Sequence, residues 1–172
     1  MKETLILVDE DDNEVGSEEK LKVHRMGLLH RAFSVFVFNS DGKLYLQKRA
    51  MSKYHSGGLW SNTCCGHPRP REEVEAAGRR RLVEEMGFDC DLNEVHRFIY
   101  RTEFDNNLIE HEFNHVLIGG FDGKPQPNPM EVGEWKLVDT DWVEKDIETR
   151  PHRYSYWFKF CFDHVIGLWK NH

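Results

Sequence analysis

The sequence is poor in cysteine and contains no long hydrophobic run. Its 172 residues include four cysteines, two of them adjacent, which is too few for a disulfide framework. No stretch approaches the roughly 20 apolar residues that a membrane span needs, and the N-terminus lacks the apolar length and cleavage site of a secretory signal. We therefore expect a reduced, cytoplasmic protein that does not insert into a membrane.

Positive charge is also scarce, because 23 Lys and Arg stand against 30 Asp and Glu, a formal net charge of -7. This balance argues against nucleic acid or an anionic membrane as a partner, so an anionic ligand would need a local cluster of cations or a metal. Apolar residues make up 39% of the chain, which supports a packed core. The length suits one domain, which we take as residues 1–172.

The pattern of elements predicts an α+β (mixed α/β) fold in which helices flank hairpin-connected strands. A turn cluster at residues 39–42 predicts a first hairpin, and residues 105–107 predict a second. Residues 71–87 read as the clearest helix, with Gly87 as its C-terminal cap and two further helices expected at 140–148 and 154–168. An earlier helical turn would have Ser17 as its cap.

The segment "LIEHEFNH" is a strand in which alternation puts Glu110 and Glu112 on one face. Two carboxylates so placed repel each other unless a cation lies between them, although a solvated polar face is an equally good explanation. His24, His30 and His67 would complete a mixed nitrogen and oxygen shell for Mn, Zn, Fe or Co rather than for Mg alone. Each histidine alone is more often an ordinary surface or hydrogen-bonded residue.

The segment "TCCGHP" allows three interpretations: a redox pair, half of a zinc site, or a thiol positioned for chemistry. It is not of the C-x-x-C redox type. A structural zinc site needs four protein ligands, but the sequence has no second cysteine pair, since Cys90 and Cys161 are each isolated. A thiol positioned for chemistry is one of the interpretations that the residues leave open, and a nearby metal or cation would lower its pKa from about 8.5.

The run "GHPRPREEVEAAGRRRLVEEMGF" resembles the Nudix box. Gly66, Glu72, Arg80, Leu82, Glu84, Glu85, Gly87 and Phe88 fit the motif in register. A simpler explanation of the helix is two surface ion pairs at i,i+4, Arg80 with Glu84 and Arg81 with Glu85. Arg81 replaces a glutamate of the motif that helps to bind metal for attack by water, which argues against hydrolysis.

Together with "YRTEFDNNLIEHE" and "YSYWF", these motifs resemble type 1 isopentenyl-diphosphate isomerases, which have a Nudix fold with a mixed sheet. The resemblance runs from about residue 5 to residue 169. It implies the following site: Cys65, Glu112, Tyr100 and Trp157 for catalysis; Lys20, Arg49, Lys53 and Arg81 for the diphosphate; His24, His30, His67, Glu110 and Glu112 for a transition metal; and Glu85 for Mg²⁺.

The implied reaction converts isopentenyl diphosphate to dimethylallyl diphosphate through a tertiary cation. Glu112 would supply the proton and Cys65 would remove one, while Trp157 would face the cation. The implied cofactors are Mg²⁺ with the diphosphate and one tightly bound Mn²⁺ or Zn²⁺. Alternatives are a Nudix pyrophosphohydrolase, a catalytically silent Nudix-fold binding module and, for Trp157, a place in the core. Tyr156 stands where the family commonly has proline. The sequence leaves the oligomeric state open.

Overall fold

The computed structural model describes residues 2–53 and 55–171, in which nine strands form one mixed sheet flanked by four α-helices. The strands are β1 (Thr4–Val8), β2 (Glu14–Glu19), β3 (His30–Phe38), β4 (Leu44–Arg49), β5 (Trp60–Ser61), β6 (Cys64–Gly66), β7 (Leu92–Glu103), β8 (Ile109–Gly120) and β9 (Val132–Val138). The helices are α1 (Lys20–Met26), α2 (Val74–Met86), α3 (Thr140–Thr149) and α4 (Tyr156–Lys170), with a 3₁₀ turn at Pro151–Arg153.

Strand β3 is the centre of the sheet and is buried on both faces, as is typical of a strand with a parallel neighbour. It pairs in parallel with β8 from His30↔Glu112 to Phe38↔Gly120. Its odd-numbered residues from 33 to 37 pack under α2, and its even-numbered Phe36 and Phe38 pack under α4. Each buried large apolar side chain contributes about 1.5–3 kcal/mol, so these two cores hold both helices against the sheet.

The first predicted hairpin is wrong beyond its turn. Strands β3 and β4 pair only at Phe38↔Leu44, and β4 instead pairs with β9 and β5. The segment leading to the adjacent cysteines lies between the two strands, where the Thr63 hydroxyl accepts from Val37 N at 2.9 Å and donates to Tyr45 O at 2.6 Å. This insertion carries β6 alongside β3.

The second predicted hairpin is confirmed, because β7 and β8 pair from Leu92↔Gly119 to Glu103↔Ile109. The helix before Gly87 is also confirmed. Gly87 has φ 73°, and a Cβ there would lie 2.2 Å from Gln126 O, so only glycine fits. No helix among the residues described is long and apolar enough to cross a membrane.

Three boundary predictions fail. The helix before Gly87 begins at Val74 rather than at residue 71, because Glu73 has extended backbone. Ser17 lies in β2 opposite Ile6 and caps no helix, because the strand continues to Glu19 and α1 begins at Lys20. The last helix begins at Tyr156 rather than at residue 154, since Tyr154 has extended backbone and bridges to Trp60.

Candidate active site

A cleft of about 850 Å³ opens between β3, β6, β8, the start of α4 and the Nudix-box helix α2. It brings together eleven of the thirteen predicted site residues: Lys20, Arg49, Lys53, Cys65, His67, Arg81, Glu85, Tyr100, Glu110, Glu112 and Trp157. His24 and His30 are buried and contribute to the same clusters of metal-ligand atoms.

Three histidines and two carboxylates of the implied metal site lie close together in the structure. Two overlapping groups, His24 with His30 and His67, and His30 with Glu110 and Glu112, each offer ligand atoms within 4.8 Å of one another. His24 Nε2 lies 3.1 Å from Glu110 Oε1, and His67 Nε2 lies 3.4 Å from Glu112 Oε1. The alternation of β8 puts both carboxylates on this face, while His115 on the other face contacts different partners.

Hydrogen bonds to backbone carbonyls fix the tautomer of two of these histidines. His24 Nδ1 donates to Lys20 O at 2.7 Å, and His30 Nδ1 donates to Leu28 O at 2.9 Å. A carbonyl only accepts, so Nδ1 carries the hydrogen and Nε2 keeps its lone pair toward the cluster. Within the described chain, His30 Nε2 and His67 Nε2 are buried without a hydrogen-bond partner. Buried polar atoms normally have a partner, so these two nitrogen atoms are suited to bind a metal.

Burial also keeps these rings in the form that binds metal. Desolvation lowers the pKa of His30 to about 4 and lowers the pKa of His67 well below its ordinary value. A neutral imidazole is the ligand form, and a mixed set of nitrogen and carboxylate donors suits a divalent transition metal. The residues present therefore fit such a metal.

The pKa values of the two carboxyl groups of β8 are shifted in opposite directions. Burial raises the pKa of Glu112 well above its ordinary value, and the neighbouring Glu110 raises it further. Burial also pushes the pKa of Glu110 upward, but hydrogen bonds from His24 and His55 outweigh it and lower the pKa. These shifts favour the protonated form of Glu112 over that of Glu110, and Tyr100 Oη donates to Glu112 Oε2 at 2.9 Å.

His55, which no sequence pattern indicated, also lines the cleft. Its Nε2 is 3.0 Å from Glu110 Oε1, and its ring stacks on Phe104 at 5.1 Å between centroids. The ring also meets Trp157 edge-on at 5.8 Å. Its loop "KYHSGG" has no periodicity that would have indicated where the side chain points.

The thiol of Cys65 is held by Asn62, another residue that no sequence pattern indicated. Asn62 is fully buried, with Nδ2 3.2 Å and Oδ1 3.3 Å from Cys65 Sγ, and the same Oδ1 accepts from Trp157 Nε1 at 3.2 Å. Trp157 both packs in the core and lines the cleft. Cys64 is fully buried in the opposite core, as a small apolar residue would be.

The expectation of a lowered thiol pKa is wrong for the protein without a metal. Burial raises the pKa of Cys65 to about 11, although hydrogen bonding by Asn62 and the charge of Arg49 act in the opposite direction. The desolvation penalty of the thiolate exceeds the stabilisation that Asn62 and Arg49 provide. The resting thiol is thus protonated at neutral pH.

The far end of the cleft carries the Nudix-box helix. Arg81 pairs with Glu84 and Glu85, and Gln47 Nε2 donates to Glu85 Oε2 at 2.8 Å. The expected Arg80–Glu84 surface pair is secondary at 3.4 Å, because Arg80 makes two hydrogen bonds, of 2.7 and 2.9 Å, to Glu72. This pairing ties the loop of the motif to its helix.

Comparisons with known proteins agree with this architecture. The NUDIX domain family matches residues 28–158. Two solved structures share the fold: the MutT protein from Methanosarcina mazei Go1 (TM-score 0.64, 17% identity, 79% of this chain and 91% of that chain) and a NUDIX hydrolase from Nitrosomonas europaea (TM-score 0.58, 17% identity, 80% and 88%).

Closer relatives are named as isomerases. "Isopentenyl-diphosphate Delta-isomerase 1" of Aromatoleum aromaticum is 57% identical over 97% of this chain and 94% of its own length. "Isopentenyl-diphosphate Delta-isomerase" of Burkholderia multivorans is 55% identical over 98% and 95%. The chain therefore belongs to the Nudix superfamily and, within it, to the isopentenyl-diphosphate Delta-isomerase family.

Proposed function

We propose that the chain interconverts isopentenyl diphosphate and dimethylallyl diphosphate, with Glu112 and Cys65 as the two proton-transfer groups. One observation carries the assignment: a buried carboxyl group, whose pKa burial raises, and a half-buried free thiol line the same cleft as the ring of Trp157. Moving a double bond requires one group to give a proton and another to take one.

In the first step, Glu112 gives its proton to C4 of isopentenyl diphosphate. The electron pair of the C3=C4 bond forms the new C–H bond and leaves a tertiary cation at C3. An alkene is a very weak base, so the acid must be strong and positioned in a site from which water is excluded. Tyr100 and Asn114 each donate to Glu112 Oε2, at 2.9 and 3.0 Å, and both bonds strengthen as the carboxylate forms.

In the second step, the Cys65 thiolate takes a proton from C2, and the C–H electrons form the C2=C3 bond. The raised pKa makes the thiolate scarce but a strong base. Between the steps, the cation is stabilised by the face of Trp157, since an aromatic ring attracts a cation without reacting with it. The Arg49 guanidinium carbon already lies 5.0 Å from the centroid of this ring, which supports a cation-binding role.

The diphosphate does not react and serves as the handle of the substrate. Lys20, Arg49, Lys53 and Arg81 would bind it, and Glu85 would hold the Mg²⁺ that accompanies it. That Mg²⁺ would neutralise part of the diphosphate charge. The histidine and carboxylate cluster would hold a transition metal, Mn²⁺ or Zn²⁺, which would fix the ligand side chains and adjust the acidity of the Glu110–Glu112 pair.

Elemental analysis tests the transition-metal site independently of activity. The purified wild type should retain about one transition metal per chain after brief chelation, the count that a single shell implies. His67→Asn should retain much less, because it removes one neutral nitrogen ligand. A wild type that is free of transition metal yet active with Mg²⁺ alone would contradict this part of the proposal.

Hydrolysis of a nucleoside diphosphate derivative is the alternative function that the fold allows. It is disfavoured because Arg81 occupies the position of a metal-binding glutamate and pairs with both Glu84 and Glu85. A silent binding module is disfavoured by the presence of Cys65 and Glu112 in one cleft. Because the proposed base must stay a free thiol, we infer that the enzyme works in a reducing compartment, the cytoplasm.

The decisive experiment follows isopentenyl diphosphate with Mg²⁺ in heavy water by NMR. The product should be dimethylallyl diphosphate carrying solvent deuterium, without accumulation of phosphate or pyrophosphate. Steady release of either with matching loss of substrate would instead support hydrolysis, and absence of any turnover would support the binding module.

The adjacent cysteines supply a matched pair of variants. Cys65→Ala should lower kcat by roughly 10² to 10⁴, the usual contribution of an acid–base group. Cys64→Ala removes the neighbouring sulfur on the core side and should retain most activity. Equal losses in both variants would show a shared structural role and contradict the assignment of Cys65 as the base.

A further inference from the structure

Glu131 lies among the cations of the cleft, although it belongs neither to the Nudix box nor to the predicted site. Its Oε2 forms ion pairs with Lys53 and with Arg81, the latter at 3.4 Å from Nη2. Both cations are proposed to bind the diphosphate. One carboxylate therefore occupies, in the protein alone, the partners that the substrate needs.

The backbone around Glu131 fixes this arrangement. Ala50 N donates to Glu131 O at 3.0 Å, and Glu131 N donates to Asn128 O at 2.9 Å. The next residue pairs with Arg49 at the end of the β4–β9 ladder. The carboxylate thus emerges from an ordered turn beside the loop that carries Lys53, and its side chain is only 25% exposed.

The charges at this end of the cleft are already balanced by the protein. Arg81 contacts Glu84, Glu85 and Glu131, and Lys53 contacts Glu131. These two cations thus contact three carboxylates, one of which, Glu84, also contacts Arg80. An incoming anion meets cations that are occupied and carboxylates that repel it.

We propose that Glu131 is a counter-anion of the diphosphate site, which a diphosphate must displace from Lys53 and Arg81. As a result, the cleft binds a diphosphate poorly when no divalent cation accompanies it. The inference rests on the proposed diphosphate site. A carboxylate released by the ligand is left without a partner, and the divalent cation that accompanies the diphosphate compensates for it. Selectivity thus comes from a repulsive group as well as from attractive ones.

The opposite role for Glu131 predicts the opposite result. If the carboxylate only holds Lys53 and Arg81 in a binding conformation, removing it disorders them and weakens anion binding. If it competes with the ligand, removing it frees both cations and strengthens binding. The sign of the change therefore separates the two roles.

The test is calorimetric titration with inorganic pyrophosphate, once with a chelator and once with Mg²⁺, on wild type and Glu131→Gln. Without Mg²⁺, Glu131→Gln should bind pyrophosphate about tenfold more tightly, the effect of no longer breaking two partly exposed ion pairs. The factor by which Mg²⁺ improves pyrophosphate binding should also shrink, because the variant lacks the carboxylate whose charge Mg²⁺ compensates. This factor is the coupling between the two ligands. Glu131→Ala should change in the same direction.

Glu134→Gln is the matched control, because Glu134 follows on β9 and pairs with Lys48 at 3.1 Å outside the cleft. It should bind pyrophosphate as the wild type does in both conditions. Unchanged or weaker metal-free binding by both Glu131 variants, with unaltered melting temperatures, overturns the proposal. A wild type without isomerase activity refutes the proposed function instead, since pyrophosphate binding is measured without turnover.

Discussion

Replacing Asn62 with alanine should damage both the thiol and the aromatic wall of the active site. The two N–H groups of Asn62 Nδ2 are shared among Val35 O at 3.0 Å, Cys64 O at 2.8 Å and Cys65 Sγ at 3.2 Å, while Oδ1 accepts from Trp157. One fully buried amide thus fixes the distance between the proposed base and the ring proposed to face the cation. No other side chain described here contacts both groups through hydrogen bonds.

The expected loss of stability follows from counting these bonds. Asn62→Ala removes hydrogen bonds worth about 1 kcal/mol each and leaves the Trp157 indole N–H and the two carbonyls buried without this partner. We expect the free energy of unfolding to fall by about 3 to 4 kcal/mol, measured by urea denaturation. A domain of ordinary stability, about 5–15 kcal/mol, still folds after such a loss.

The expected chemical effect concerns the pKa of Cys65. Asn62 Nδ2 donates to the sulfur and so favours the thiolate, which means that its removal should raise the pKa further above about 11. Titration of the thiolate by its ultraviolet absorbance reports this change, and kcat for isomerisation should fall with it. Neither readout depends on the size of the stability loss.

Ser61→Ala provides the control for this variant. The Ser61 hydroxyl donates to Asn62 Oδ1 at 2.9 Å and lies 3.0 Å from Ser155 Oγ, and neither bond involves the thiol. It should cost about 1 kcal/mol of stability and leave the thiol titration unchanged. If Asn62→Ala loses stability but keeps the wild-type thiol titration, then Asn62 does not lower the pKa of Cys65.

Three further predictions concern catalysis and stability. Trp157→Ala should lower kcat roughly 30-fold, which is the rate effect of losing a desolvated cation–π contact, and Trp157→Phe should lower it much less. Losses of kcat that only follow the loss of melting temperature would show that Trp157 acts in the core alone. Because burial raises the pKa of both Cys65 and Glu112, kcat should increase with pH above 7 as thiolate forms and decrease only when Glu112 loses its proton; a steady decline from pH 6 upward would contradict this. Burial raises the pKa of Asp146, but its hydrogen bonds, including one of 2.6 Å from Tyr154, lower it more. The stabilisation of the fold by ionised Asp146 is therefore fully present above about pH 4 and is lost as the pH falls through the lowered pKa. Asp146→Asn should therefore cost about 2 kcal/mol at pH 7 and flatten acid unfolding, as denaturation at several pH values will show.

Local patterns predicted only part of the site, and the family resemblance implied most of its residues. Alternation along β8 oriented Glu110 and Glu112 correctly, because one face of a strand is read directly from the sequence. The Nudix-box spacing located α2 and its glycine cap. His67 joined the cluster as predicted, although its convergence with residues more than 40 positions away came from the family resemblance and not from spacing.

The remaining features depend on tertiary contacts that no local pattern contains. Strands β3 and β4 looked like a hairpin because their turn is genuine, but Thr63 bonds to both and separates them. Asn62 and His55 resemble ordinary loop residues until the fold buries them. The pKa of Cys65 depends on how much water the folded chain removes, which neighbouring sequence does not report.

The proposed metal-binding cluster forms only if β3 and β8 pair in their native register. His30 lies opposite Glu112, and the chain between them must fold before they meet. A slip of one residue would turn both glutamates of β8 to the face where His115 contacts Asp12. Since a metal that binds only the native pairing stabilises only that pairing, metal present during refolding should select the correct register and not merely load a finished site.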